Sequence, residues 1–270
     1  MPDFSQHQII INSVRLNYYR TGSGPAVILV HGLTDHALYW SALARALAAD
    51  YDMVMYDSRG HGASDPSPTD YRLETLAGDL ATLVGSLGLV RPAVIGHSMG
   101  ASTASIAAAT HPGLFRAIVL EDPVWRSVTP EGTPDMATVQ MGWRADLLTM
   151  KAMDRAALLA RVRGESPGWS DEDYEQWVDS KRAVNPDALS VLPSFARIWP
   201  DDVRAIDCPL LLLTGEPERG AIVDPGAAEI VRQLQPEARI VRINGVGHQV
   251  RREGFATYLR EVREFLRQVP

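Results

Sequence analysis

Cysteine is nearly missing from this chain. Cys208 is the only one in 270 residues, so no intrachain disulfide can form and no thiolate cluster can hold a metal. Basic charge is also in deficit: 26 lysines and arginines against 33 aspartates and glutamates give a net charge of −7. That balance argues against a nucleic-acid surface or a face for anionic membranes. No segment approaches the run of about 18 apolar residues that a membrane span needs. The opening Met1-Pro2-Asp3-Phe4-Ser5-Gln6 carries neither a positive leader nor the apolar stretch of a secretory signal. A cytoplasmic globular protein is the expectation.

Nucleotide fingerprints are absent too. Gly22-Ser23-Gly24 lacks the third glycine and the following helix of a dinucleotide site, and no G-x-x-x-x-G-K-[ST] occurs. No cofactor is expected, and no histidine pair has a third ligand at metal-binding spacing.

What the chain does have is 46% hydrophobic residues, enough to fill the core of one large domain or of a domain with an insertion. Short β-rich runs alternate with Ala/Leu-rich stretches through the first 120 residues. That alternation predicts an α/β fold, a mostly parallel sheet with helices on both faces. Strands are expected near 8–12, 14–20, 26–31, 52–57, 92–97 and 115–121, with helices near 38–49, 72–88 and 99–111. Only Asn12-Ser13 separates the first two strands, so they should form an antiparallel hairpin at one edge.

After Pro123 the alternation stops. Residues 124–200 hold helical stretches near 134–150, 151–163, 170–183 and 187–199, which predicts an inserted helical cap subdomain. The core domain would then comprise 1–123 and 201–270. Five of the six tryptophans lie in the insertion (Trp125, Trp143, Trp169, Trp177 and Trp199). They either fill the cap's own core or line an apolar pocket over the sheet. Strands return at Leu210–Thr214 and Arg239–Ile243, around a helix near 224–235, and a last helix is expected near 254–267.

The chemistry centres on Gly96-His97-Ser98-Met99-Gly100, which follows the apolar run Pro92-Ala93-Val94-Ile95 and opens a small-residue helix. G-x-S-x-G between strand and helix is a nucleophile elbow, making Ser98 the candidate nucleophile. A serine hydroxyl needs a base, and His248, in the turn Gly245-Val246-Gly247-His248, follows the last strand where an imidazole can reach over the sheet edge.

Four motifs together resemble the α/β-hydrolase superfamily over essentially the whole chain. They are His31-Gly32, Asp57-Ser58-Arg59-Gly60-His61-Gly62-Ala63-Ser64, the elbow, and Gly245 to His248. The resemblance implies a Ser–acid–His triad, with the acid after one of two strands. Asp122 ends one, 24 residues after Ser98; Glu218 occupies the other place, where the family more often has aspartate. Asp224, Glu121 and Asp146 remain further options. The backbone N–H groups of Leu33 and Met99 would form the oxyanion hole. His31 and His61 match structural positions, and His97 should point away from the nucleophile.

The expected function is hydrolysis of a small or medium carboxylic ester or lactone through an acyl-enzyme on Ser98. A C–C bond hydrolase using the same triad, or a small-molecule binding protein with an idle triad, are the alternatives. Having serine rather than aspartate at the elbow argues against dehalogenase and epoxide hydrolase chemistry.

Overall fold

Asn12 and Ser13 both have left-handed backbone angles, φ 46° and 66°, the geometry of a two-residue turn that matches strand twist. They join β1 (Ser5–Ile11) to β2 (Val14–Thr21) in the antiparallel edge hairpin that the sequence predicts. This is a computed structural model, and it describes residues 4–126 and 135–269. Residues 127–134 of the expected cap, including the start of its first helix, lie outside the described residues.

Six further strands complete the sheet: β3 (Ala26–Val30), β4 (Asp52–Tyr56), β5 (Ala93–His97), β6 (Ala117–Glu121), β7 (Leu210–Thr214) and β8 (Arg239–Arg242). The spatial order is β1-β2-β4-β3-β5-β6-β7-β8. From β4 to β8 every pairing is parallel, while β2 meets β4 antiparallel. Strands β4 to β7 are buried at every residue, as expected where helices cover both faces.

Side-chain alternation sorts the core into two layers. Ile28 and Val30 face α2 (Leu73–Ser86), α3 (Met99–Thr110) and α8 (Pro225–Leu234). Val27 and Leu29 face α1 (Ser41–Leu47) and α10 (Phe255–Gln268), where Trp40, Leu43, Tyr258 and Val262 pack. Fully burying each such Val, Ile or Leu contributes roughly 1.5–3 kcal/mol, so these two layers set the frame on which the loops sit.

Between β6 and β7 the chain forms α4 (Met136–Ala152), α5 (Arg155–Glu165), α6 (Asp171–Ala183) and α7 (Trp199–Ala205). Each of the first three starts on a side-chain cap: Asp135 accepts from the Ala137 N–H, Asp154 from Ala157 and Ser170 from Asp173. The predicted helix over 187–199 is instead a 3₁₀ stretch, Pro186–Ala196. Pro193 sits inside it and can neither donate an N–H nor allow an α-turn before it. Helix α7 crosses position 200 and packs on α3 and α8. A short helix, α9 (Val250–Glu253), precedes α10.

Candidate active site

At the end of β5 the chain turns sharply into α3, and Ser98 takes φ 53° and ψ −116°. A serine in this conformation is strained by about 1–3 kcal/mol, and its neighbours over-determine it. Its N–H donates to the Glu121 carbonyl at 2.9 Å. A Cβ on Gly96 would stand 2.4 Å from the Gly100 carbonyl oxygen, and one on Gly100 would stand 2.2 Å from that of Val30. Both elbow glycines are therefore required by close backbone approach. Met99 opens α3, so its N–H has no partner within the helix and lies at the positive end of the helix dipole.

The loop after β8 carries His248 across to the end of β6. Its Nδ1 lies 2.6 Å from Asp122 Oδ2. Because a carboxylate only accepts, Nδ1 carries a proton, and in the neutral form of the ring the lone pair is on Nε2. Asp122 is fully buried, at φ 41°. Its Oδ2 also accepts from the Ile222 N–H at 2.8 Å, and Oδ1 accepts from the Val223 N–H and the Thr214 hydroxyl, both at 3.0 Å. Burial works against its charge, yet the His248 hydrogen bond and these N–H groups prevail and hold its carboxyl below the usual range.

The other acids weighed from sequence go elsewhere. Glu218 is exposed in the short turn Pro217–Arg219. Asp224 caps α8 through the Ala227 N–H at 2.8 Å. Glu121 pairs with buried Arg251 at 2.5 Å, and Asp146 pairs with Arg161 at 3.0 Å.

Of the remaining histidines, His31 and His61 are turn scaffolds. The first donates from Nδ1 to the Gly32 carbonyl and accepts the Ser58 N–H at Nε2, at 2.8 and 3.0 Å. His61 Nδ1 donates to the Arg59 carbonyl at 2.9 Å. His36 is buried and donates to the Gln176 carbonyl on α6 at 3.1 Å. The surprise is His97. It packs against the His248 ring at 4.7 Å, and its Nε2 donates to the His248 carbonyl at 3.1 Å. Asp35 stands 3.8 Å from its Nδ1.

Ser98, His248, Leu33 and His97 all line one cavity of about 1010 Å³, large enough for a small organic substrate. Trp143, Trp177 and Trp199 also line it, so the aromatic cluster of the insertion divides between cavity and core. Trp125 is buried and stacks on Trp199 at 5.0 Å. Four cations reach the cavity wall: Arg126, Arg161, Arg197 and Lys181. Arg161 is held by Asp146 and Glu165, Arg197 by Asp202 and Glu74, and Lys181 lies 3.8 Å from Asp35. Among the described residues, Arg126 makes no ion pair. Cys208 lies away from this wall, and burial pushes its thiol up to about 12, so it is a poor nucleophile. No sequence pattern pointed to Asp35, Lys181 or Arg126.

A parallel sheet with a strained serine turn, a buried carboxylate–histidine pair and a roofed cavity at its C-terminal edge has the architecture of a hydrolase. The family model for the alpha/beta hydrolase fold matches residues 25–250, and the chain belongs to that family. It is 29% identical over 260 residues to an N-formylmaleamate deformylase of Pseudomonas putida, covering 88% of each chain. A 2-(acetamidomethylene)succinate hydrolase of Mesorhizobium japonicum is 26% identical over 97% of this chain and 95% of its own. A crystal structure of an E-2-(acetamidomethylene)succinate hydrolase superposes with TM-score 0.82 at 22% identity, covering 98% of this chain and 100% of that one. Among the described residues, no helix is long and apolar enough to cross a membrane.

Proposed function

We propose that the chain is a serine hydrolase that removes a small acyl group from a carboxylate-bearing amide or ester through an acyl-enzyme on Ser98. One observation carries this reading: the 2.6 Å contact between His248 Nδ1 and buried Asp122, on the wall of the cavity that Ser98 also lines. With Nδ1–H engaged, Nε2 takes the Ser98 proton as Oγ attacks the acyl carbonyl. Charge then develops on the carbonyl oxygen, where the Leu33 and Met99 N–H groups stabilise it; one such donor is worth about 3 kcal/mol. Imidazolium returns the proton to the leaving nitrogen or oxygen, and water repeats the sequence on the acyl-enzyme. Asp122 keeps the imidazole in the required tautomer and stabilises its charged form.

The names of two relatives, a deformylase and an acetamidomethylene succinate hydrolase, favour a nitrogen leaving group over the ester expected from sequence. Both names also describe acid-bearing substrates. Arg126, on the cavity wall without an ion pair among the described residues, supplies charge for such a group. Helices α4 to α6 act in this reading as the cap over the site. The test is intact mass after fluorophosphonate treatment, followed by turnover of N-formyl and N-acetyl carboxylates against neutral aryl acetates. A single adduct on the native chain, absent in Ser98→Ala, is expected. A folded native chain that takes no adduct refutes the reading and turns the question to ligand binding.

A further inference from the structure

Lys181 occupies the last turn of α6, where a cation is favoured by the helix dipole. Instead of reaching into solvent, it is buried, with its ammonium directed across the insertion boundary to the loop after β3. Nζ donates to the Thr34 carbonyl at 2.9 Å and to the Thr34 hydroxyl at 2.7 Å. Asp35 Oδ1 stands 3.8 Å away, and the Trp177 ring lies beneath at 5.2 Å. Thr34 itself has φ 63°, a conformation that a β-branched residue seldom adopts unless something holds it. The residue before it is Leu33, whose N–H is assigned above to the developing oxyanion. Two further bonds tie α6 to the same stretch of chain: His36 Nε2 donates to the Gln176 carbonyl at 3.1 Å, and the Ser41 hydroxyl at the start of α1 donates to Glu172 at 2.7 Å.

We infer that Lys181 is a positioning residue for the hydrolytic reaction: by clamping strained Thr34 it sets the direction of the Leu33 N–H, so that seating of the insertion completes the oxyanion hole. This rests on the serine-hydrolase reading. The arrangement suits the task because an ammonium has three donors and no acceptor, so it can take both oxygens of one residue at once. Asp35 neutralises it without competing for Thr34. Burying a lysine is costly and its charge is disfavoured there, the burial outweighing Asp35 and drawing its pKa down to about 8. A side chain serving only to pack would be better as Met or Leu.

The experiment compares native enzyme with Lys181→Met, Thr34→Val and Thr34→Ser, each checked for folding by near-ultraviolet circular dichroism. It measures kcat and KM for a neutral aryl acetate and for a carboxylate-bearing N-acyl substrate, and the rate of Ser98 phosphonylation. Misplacing a donor acts in the transition state, so Lys181→Met should lower kcat by about ten- to hundred-fold on both substrates, with KM changed less than about twofold. Phosphonylation should slow in parallel. Thr34→Val should lose a smaller part, and Thr34→Ser, which keeps the hydroxyl, should recover most of it. The pair Thr34→Val and Thr34→Ser decides the matter if Lys181→Met does not fold. Unchanged kcat in folded Lys181→Met overturns the proposal, as does a rise in KM confined to the anionic substrate, which would make Lys181 a substrate counterion. Failure of the native chain to react with the fluorophosphonate would instead remove the hydrolase reading, and this one with it.

Discussion

Replacing Asp122 by asparagine exchanges one acceptor oxygen for an NH₂ group that can only donate. In the native chain Oδ2 takes two donors, His248 Nδ1 and the Ile222 N–H, while Oδ1 takes the Val223 N–H and the Thr214 hydroxyl. Asparagine can turn its amide either way, and each way sets NH₂ against at least one backbone N–H. Turned with its oxygen toward His248, it leaves the Val223 N–H unsatisfied; the Thr214 hydroxyl can accept instead of donate. A buried orphan of this kind costs about 1–3 kcal/mol of stability. Turned the other way, it confronts Ile222, and the imidazole must move its proton to Nε2, which then cannot accept from Ser98. In both orientations the negative charge facing the imidazolium is gone. The expected result for Asp122→Asn is a fall in kcat of about 10⁴-fold with only the modest loss of stability given above. The assay is turnover of an aryl ester across pH 6–9, with unfolding by urea in parallel. Glu218→Gln, in an exposed turn, should leave both nearly unchanged. Activity of Asp122→Asn within tenfold of native, or a larger loss in Glu218→Gln, would refute the assignment.

Burial holds His31 down to about 4 and His61 to about 3, against about 6.5 in an unfolded chain. Below pH 6.5 the unfolded chain therefore takes up protons that the folded one refuses. Stability is full above that pH and falls with acidification by up to about 1.4 kcal/mol per pH unit for each histidine. Urea midpoints at pH 7.5, 6 and 5 should decline accordingly, and a flat profile would contradict the buried neutral pair. Arg126→Ala should raise KM for carboxylate-bearing substrates about tenfold or more, with little effect on neutral aryl acetates; equal effects on both would show that Arg126 does not meet the substrate carboxylate.

The features that sequence reasoning resolves are local ones. The elbow needs glycine on either side of Ser98 because backbone atoms within four residues, and the end of β3, crowd those positions. Continuous apolar runs such as Leu210–Thr214 become strands buried on both faces, and Asn12-Ser13 becomes a tight turn. Over 187–199 the apolar spacing favours an α-helix, but Pro193 removes a backbone donor inside it and the stretch winds as 3₁₀. Choosing an acid is different in kind. Asp122 and Glu218 each follow a strand at the same edge of the sheet, and what separates them is which carboxylate the loop after β8 meets. The N–H groups of Ile222 and Val223, a hundred residues from Asp122, prepare that oxygen pair. Lys181 is less legible still. In sequence it is one cation in the last turn of a charged helix, where the dipole alone accounts for it. Its bonds to Thr34 join positions 147 residues apart, and no periodicity or spacing encodes such a pair. The candidate nucleophile and its turn are thus written in a pentapeptide, whereas the setting of Asp122 depends on the loops after β7 and β8 meeting the end of β6, and the cavity's cations gather only once the segment between β6 and β7 has folded over the sheet.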